Sequence, residues 1–152
     1  MRLVLDIFGD VQVDREILRL EDRVRDARPA WNAIRDDLLV IGEKQFDSRG
    51  GRAHPWPELA DSTKEDKARR GKDPYAILED GGDLRRALTQ RGDKNQEFIS
   101  EPDWMLFRPL LDYAEFHQRG RGVPQRRVID LTEHDRDSAV KRLQSWAITG
   151  EP

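Results

Sequence analysis

The segment YAEFHQRGRGVPQRR, residues 113–127, concentrates the side chains of this sequence that could carry chemistry. His117 follows Tyr113 by four residues, so an imidazole and a phenol share one face if the segment is helical. A general acid or base needs an oriented partner and a reacting group within reach, and no nucleophile motif, phosphate loop or carboxylate pair accompanies His117. We therefore expect His117 and Gln118 to hydrogen-bond to backbone in a packed turn. A small hydrolase centred on His117 is the less favoured alternative.

The same segment carries four arginines, whose guanidinium groups suit phosphates and carboxylates. No ladder of aromatic residues for stacking bases and no recognition-helix pattern accompanies them, so sequence-specific DNA reading is not expected. Three interpretations stay open: a solvated loop, a contact with a neighbouring subunit, and a non-specific contact with duplex phosphates in a channel. The four residues are Arg119, Arg121, Arg126 and Arg127.

The other histidines do not suggest a metal site. His54 precedes a Pro-Trp pair, where it can form a turn, and His134 lies among acidic residues at the start of a predicted helix. No two histidines are spaced as ligands on one helix, and the sequence contains no cysteine. We expect no metal and no cofactor.

The composition of the chain limits which classes of protein it could belong to. The 152 residues are 36% hydrophobic and 38% charged, with a formal net charge of −3, which does not suit a general electrostatic DNA binder. No apolar run is long enough to span a bilayer, and the first ten residues do not resemble a signal peptide. We expect one soluble domain over residues 1–152, without a membrane partner.

The amino-terminal part predicts a strand followed by a long helix. Residues 2–8 alternate loosely and favour a strand. From Asp14 the apolar residues recur every three or four positions, which is typical of one helical stripe over about residues 14–46. Pro29 should kink this helix or divide it near residues 26–28, and a kink is favoured because the stripe keeps its phase across the proline. The stripe is either an internal core seam or also a face that packs on neighbouring subunits. It comprises Ile17, Leu20, Val24, Ala27, Trp31, Ile34, Leu38 and Ile41.

A long charged loop follows, over residues 48–75, and we expect part of it to be mobile in the isolated protein. Ser62 and Glu65 resemble a capping box, which predicts a short helix inside the loop. Trp56 lies between two prolines that limit backbone freedom, so it suits an anchor in a core or in an interface pocket.

The remaining elements are short. The sequence predicts a small helix from Asp83 and a hairpin with strands at 97–100 and 104–107. It then predicts a helix that stops at Gly120, a last strand in RRVIDL (126–131), and a closing helix capped by Thr132 and Asp135. The predicted fold class is α+β: a small, mostly antiparallel sheet packed against a long amino-terminal helix and a carboxy-terminal helix.

The order of several short motifs along the chain resembles the phage virion morphogenesis family. This family contains the tail-completion or head–tail joining proteins of Mu-like and other tailed phages, and the likeness covers about residues 46–148. The motifs are Trp56-Pro57-x-Leu59, Thr63 with Lys67, Ile77-Leu78, Gly82-x-Leu84, Tyr113-Ala114-x-x-His117-Gln118-x-Gly120 and Pro124-x-Arg126.

The resemblance implies a non-enzymatic virion component, assembled in the host cytoplasm and placed at the neck or the head-proximal end of the tail. Its partners would be copies of itself, in a closed and sixfold ring, and other neck or tail proteins. A DNA-contacting neck module that lines the channel is the alternative. The residues expected to act in assembly are Trp56, Leu59, Tyr113, His117, Gln118, Arg119, Arg121, Arg126 and Arg127.

Overall fold

The structure is a computed structural model that describes residues 11–152. The strand predicted at residues 2–8 lies outside the described residues. The described part contains six helices and one two-stranded antiparallel sheet, which confirms the predicted α+β class. The elements are α1 (Val11–Arg25), α2 (Arg28–Asp47), α3 (Asp61–Arg69), α4 (Asp83–Thr89), β1 (Gln96–Ser100), β2 (Met105–Pro109), α5 (Asp112–Arg119) and α6 (Glu133–Thr149).

Pro29 divides the predicted long helix instead of kinking it. The helix stops at Arg25 because Pro29 has no N–H to donate and its ring would clash with the carbonyl four residues earlier. The backbone N–H of Ala27 is turned to the hairpin, where it donates to the Pro102 carbonyl at 2.8 Å. The favoured prediction, a kinked helix over residues 14–46, was therefore wrong, whereas the alternative, a division near residues 26–28, is confirmed.

The apolar stripe changes its role at this break. In α2 it faces the interior, where Ile34 is buried and Trp31, Leu38 and Ile41 are partly buried. In α1 it is open to solvent, and Ile17 and Val24 are more than half exposed. Within residues 11–152, only the second half of the stripe faces the interior of the fold.

The core lies between four parts of the fold: α2, α4, the segment before α3 and the segment after α5. α2 and α4 approach so closely that a Cβ at Gly42 would collide with the Leu88 carbonyl oxygen, which is why a glycine suits this position. The buried cluster comprises Phe46, Trp56, Ile77, Leu84, Leu88, Ala114 and Val128.

The predicted hairpin is confirmed. β1 and β2 pair in a register that sets Phe98 opposite Phe107, and Glu101 donates its N–H to the Trp104 carbonyl at 2.8 Å in the turn. The sheet packs on α2 and α4, whereas α6 packs mainly on α1 and α2. The sheet thus lies against the second of the two amino-terminal helices, and the closing helix covers both of them.

The strand predicted in RRVIDL does not form. Residues 124–132 are irregular but partly buried, and their backbone groups bond to side chains instead of to a neighbouring strand. The Gln118 amide oxygen accepts the N–H groups of Val128 and Ile129, at 2.8 and 3.1 Å. The apolar residues of this run pack into the core, but the run does not hydrogen-bond to a neighbouring strand.

Helix ends follow the sequence signals in part. Thr132 caps α6 in a reciprocal box with Asp135, as predicted, and Gly120 ends α5 with a φ of 68°. The capping box predicted at Ser62 and Glu65 was wrong, since α3 begins after Ala60 without a side-chain cap. No helix within residues 11–152 is both long enough and apolar enough to cross a membrane.

Candidate functional site

Residues that carry the family resemblance converge on one cavity of about 660 Å³. It lies between α3, the loop that precedes α4, the face of α5 and the turn before Arg126; we call it the motif cavity. Motifs separated by more than sixty residues therefore meet in space. Its lining includes Leu59, Thr63, Lys67, Leu78, Gly82, Tyr113, His117, Pro124 and Arg126.

Arg126 joins two of these motifs. Its side chain is buried, and its guanidinium donates from Nε to the Pro57 carbonyl and from Nη2 to the Glu58 carbonyl, both at 2.9 Å. Its own backbone N–H donates to the His117 carbonyl at 2.8 Å. Burial lowers the pKa of this guanidinium, but an arginine stays charged at neutral pH. Arg126 therefore fixes the loop before α3 against the end of α5.

Trp56 is an anchor in the core of the fold. Its indole packs edge-on against Phe46, with ring centroids 5.3 Å apart, and its Nε1 donates to the Arg127 carbonyl at 3.0 Å. Gln45 donates to the same carbonyl from its amide nitrogen at 2.9 Å. Of the two places predicted for Trp56, the structure shows the core, and any effect of its loss on assembly passes through the fold.

Gln118 acts as predicted, by bonding to backbone in a packed turn. Its amide nitrogen donates to the Ile129 carbonyl at 2.8 Å, while its oxygen accepts two N–H groups from the same segment. A single side chain thus satisfies three backbone groups that a strand partner would otherwise have served.

His117 lies on the wall of the motif cavity, with Tyr113 one turn earlier. Its Nδ1 is buried and has no hydrogen-bond partner in the described part of the chain, so the backbone contact of this ring is the one with Pro124. Burial, together with the Arg126 charge, lowers the pKa of the imidazole, against an opposing effect of the Pro124 carbonyl. Burial also raises the pKa of the Tyr113 hydroxyl, and the Asp83 charge adds to this. Among residues 11–152, no carboxylate orients the imidazole as a general base would require.

The other three arginines each lie near a carboxylate of the described chain. Arg119 and Arg121 both approach the Glu115 carboxylate, at 3.4 and 3.7 Å. Arg127 lies 3.9 Å from the buried carboxylate of Asp130 and against the ring of His54. The positive charges of Arg119, Arg121 and Arg127 are therefore at least partly compensated by carboxylates of the same chain.

Sequence reasoning missed two features of this region. His54 was assigned to a turn, but its Nδ1 lies 2.7 Å from the Asp130 carboxylate, 76 residues along the chain. Lys67 was noted only as a motif residue, yet its side chain is buried at the motif cavity and donates to the carbonyls of Ala76 and Glu79. No sequence signal distinguishes such a lysine from the exposed ones beside it, because its burial depends on a loop that folds over it.

Among residues 11–152 no group of three or more histidine, aspartate or glutamate side chains could hold a metal ion. Comparisons with family models, curated proteins and solved structures found no match to this chain. The family interpretation therefore rests on the motif residues of the sequence alone.

Proposed function

We propose that this protein is a structural component of a tailed-phage virion, which completes the tail or neck and joins head to tail. It would act as a closed ring of identical subunits, with six as the number that the family resemblance implies. It would assemble in the host cytoplasm and bind other neck or tail proteins. In this proposal the chain works by its shape and its surfaces, without a catalysed reaction.

The exposed apolar face of α1 carries the proposal. Ile17, Leu20 and Val24 are 56%, 42% and 64% exposed, although they continue the stripe that forms the core seam in α2. Burying such side chains against a neighbour stabilises a complex by about 1 to 2 kcal/mol each. A helix that presents this face outward is suited to pack on another subunit.

The motif cavity supports the same proposal. Its motif residues mostly hold loops together through hydrogen bonds to backbone carbonyls, as Arg126 does with Pro57 and Glu58. Such an arrangement fixes the shape of a surface, which an assembly protein requires. A hydrolase receives less support, because His117 lacks an orienting carboxylate among the described residues.

The DNA-contacting alternative also receives less support from the arginines. Arg126 is buried, and the charges of Arg119 and Arg121 are shared with Glu115. Phosphate contacts need guanidinium groups that are free to meet the duplex backbone.

Deletion and complementation in a tailed phage that encodes this chain would test the proposal. Deletion should yield filled heads and separate tails, and the wild-type chain should restore joined particles. A variant with Ile17→Ser, Leu20→Ser and Val24→Ser should fold but fail to restore them, because it loses the exposed apolar face.

A double variant with Arg15→Ser and Asp22→Ser is the matched control, since both side chains are exposed on the same helix. It should complement as well as the wild-type chain. Joined particles in the deletion strain, or full complementation by the triple variant, would contradict the proposal.

A further inference from the structure

Two cations are buried at the motif cavity without a carboxylate partner. Lys67 is 4% exposed and Arg126 is 5% exposed. Their hydrogen bonds go to neutral backbone carbonyls, those of Ala76 and Glu79 for Lys67 and those of Pro57 and Glu58 for Arg126. No acidic side chain of residues 11–152 forms an ion pair with either one. Buried charges are normally paired, so two uncompensated cations at one cavity need an explanation.

The acidic residues of the cavity wall are paired with other cations. Glu58 accepts a hydrogen bond from Lys64 at 2.9 Å, and Asp80 accepts one from Arg70 at 2.8 Å. Asp80 acts on Lys67 only through space, since no hydrogen bond or ion pair joins them. Glu79 also lines the cavity, and its carboxylate lies 3.3 Å from Arg85. The positive charge of Lys67 and Arg126 is therefore left without a contacting counter-charge.

Further hydrogen-bonding capacity remains at the same cavity. Nη1 of Arg126 has no hydrogen-bond partner among the described residues. Lys67 uses two of the three N–H groups of its ammonium. An anionic group that entered would find donors as well as positive charge.

Part of the wall is apolar, and this apolar surface indicates the kind of anion that the cavity could bind. Leu59, Leu78 and Val123 contribute apolar surface, and a volume of about 660 Å³ lies in the range of sites for small ligands and peptide side chains. A duplex cannot enter a cavity of this size. An apolar segment that ends in, or carries, a carboxylate matches both parts of the wall.

We propose that the motif cavity binds a carboxylate on an apolar peptide segment of a partner protein, with Lys67 and Arg126 as its counter-charges. This site goes beyond the proposed virion role, because it is a property of the isolated chain. Its failure would leave the assembly proposal standing, and a failed complementation test would leave the site standing.

Nuclear magnetic resonance titration of the full chain tests the site with two matched probes. These are N-acetyl-leucyl-glutamate amide, which carries a side-chain carboxylate, and N-acetyl-leucyl-glutamine amide, which does not. The acidic probe should shift the His117 ring and Arg126 Nε resonances saturably below about 10 mM, and the neutral probe should bind about tenfold more weakly or not at all. Equal affinity for the two probes, or no saturable shift with the acidic one, would overturn the proposal.

Two lysines on α3, one buried and one paired with Glu58, provide the test variant and its control. Lys67→Met should weaken the acidic probe about tenfold, whereas Lys64→Met, next to the cavity but paired with Glu58, should change it less than twofold. Equal losses in the two variants would contradict the assignment, and if Lys67→Met does not fold, the comparison of the two probes on the wild-type chain decides. Tighter binding of inorganic phosphate than of the acidic probe would also overturn a carboxylate site, as would displacement of the probe by duplex DNA.

Discussion

Arg126 and Pro57 are joined by a hydrogen bond of 2.9 Å from guanidinium Nε to carbonyl oxygen, although 69 positions separate them in the chain. The same guanidinium holds the Glu58 carbonyl. The charged loop that begins after α2 is therefore tied at this point to the segment after α5, and the motif cavity lies between the two.

Arg126→Gln should destabilise the protein by about 2 to 4 kcal/mol. The shorter amide cannot serve both carbonyls, which then remain desolvated and without a donor. Urea unfolding followed by circular dichroism measures the change. Arg119→Gln is the control, because its exposed ion pair with Glu115 should contribute under about 0.5 kcal/mol. Similar losses in the two variants would contradict the role given to Arg126.

Gln118→Glu should cost about 2 kcal/mol at neutral pH. The carboxylate keeps the shape of the amide but cannot donate to the Ile129 carbonyl, and it places a negative charge against that oxygen. Thermal unfolding of the variant checks this. Gln125→Glu, at an exposed position that donates only to the Gln118 carbonyl, should cost far less. An unchanged melting temperature in Gln118→Glu would show that residues 124–132 are held by other contacts.

His117 should make stability fall as the pH is lowered below about 6.5. Burial and the Arg126 charge lower the imidazole pKa in the folded protein, so the unfolded chain binds this proton more readily. The free energy of unfolding is thus unaffected by His117 above its unfolded pKa and decreases as the pH falls towards its folded pKa. His117→Gln should flatten this part of the profile, while His134→Gln, at an exposed site, should leave it as it is. A profile that His117→Gln does not alter would refute the assignment.

Asp135→Asn should destabilise the protein by about 1 to 3 kcal/mol at neutral pH. Burial raises the pKa of Asp135, but hydrogen bonds from Arg52, at 2.7 and 2.8 Å, and from Thr132 outweigh it and lower the pKa overall. The stabilisation by this carboxylate is present above its unfolded pKa and is lost as the pH falls below about 4. The difference between variant and wild type should shrink over that range.

Asp137→Asn, on the same helix but exposed, is the control for that experiment. Its unfolding free energy should match the wild type at every pH. A constant difference between Asp135→Asn and wild type from pH 7 to pH 3 would mean that the Arg52 pair does not stabilise the cap.

Elements set by local signals could be predicted from the sequence. The hairpin, the start of α4 at Asp83, the end of α5 at Gly120 and the Thr132 cap all follow from turn and capping chemistry within a few residues. The break at Pro29 was located, but its outcome depended on the Ala27 bond to Pro102, which joins distant segments. The strand predicted at 126–131 fails to form for a similar reason, a contact between segments. The Gln118 side chain bonds to the backbone groups that a neighbouring strand would otherwise have paired.

The sequence indicated which residue types belong to the candidate site, but it did not predict their burial or their long-range pairing. Gln118 was expected to bond to backbone, and it does. The burial of Lys67 and the pairing of His54 with Asp130 arise from long loops that fold over them. The exposure of the α1 stripe likewise needed the fold, because the same periodicity suits a core seam and a subunit interface.

The composition and labelling of purified tailed particles test the central claim most directly. Particles from a phage that encodes this chain should contain several copies of it by mass spectrometry, and antibody against it should label the junction of head and tail. Absence of the chain from mature particles and from their assembly intermediates would contradict a role in joining head to tail.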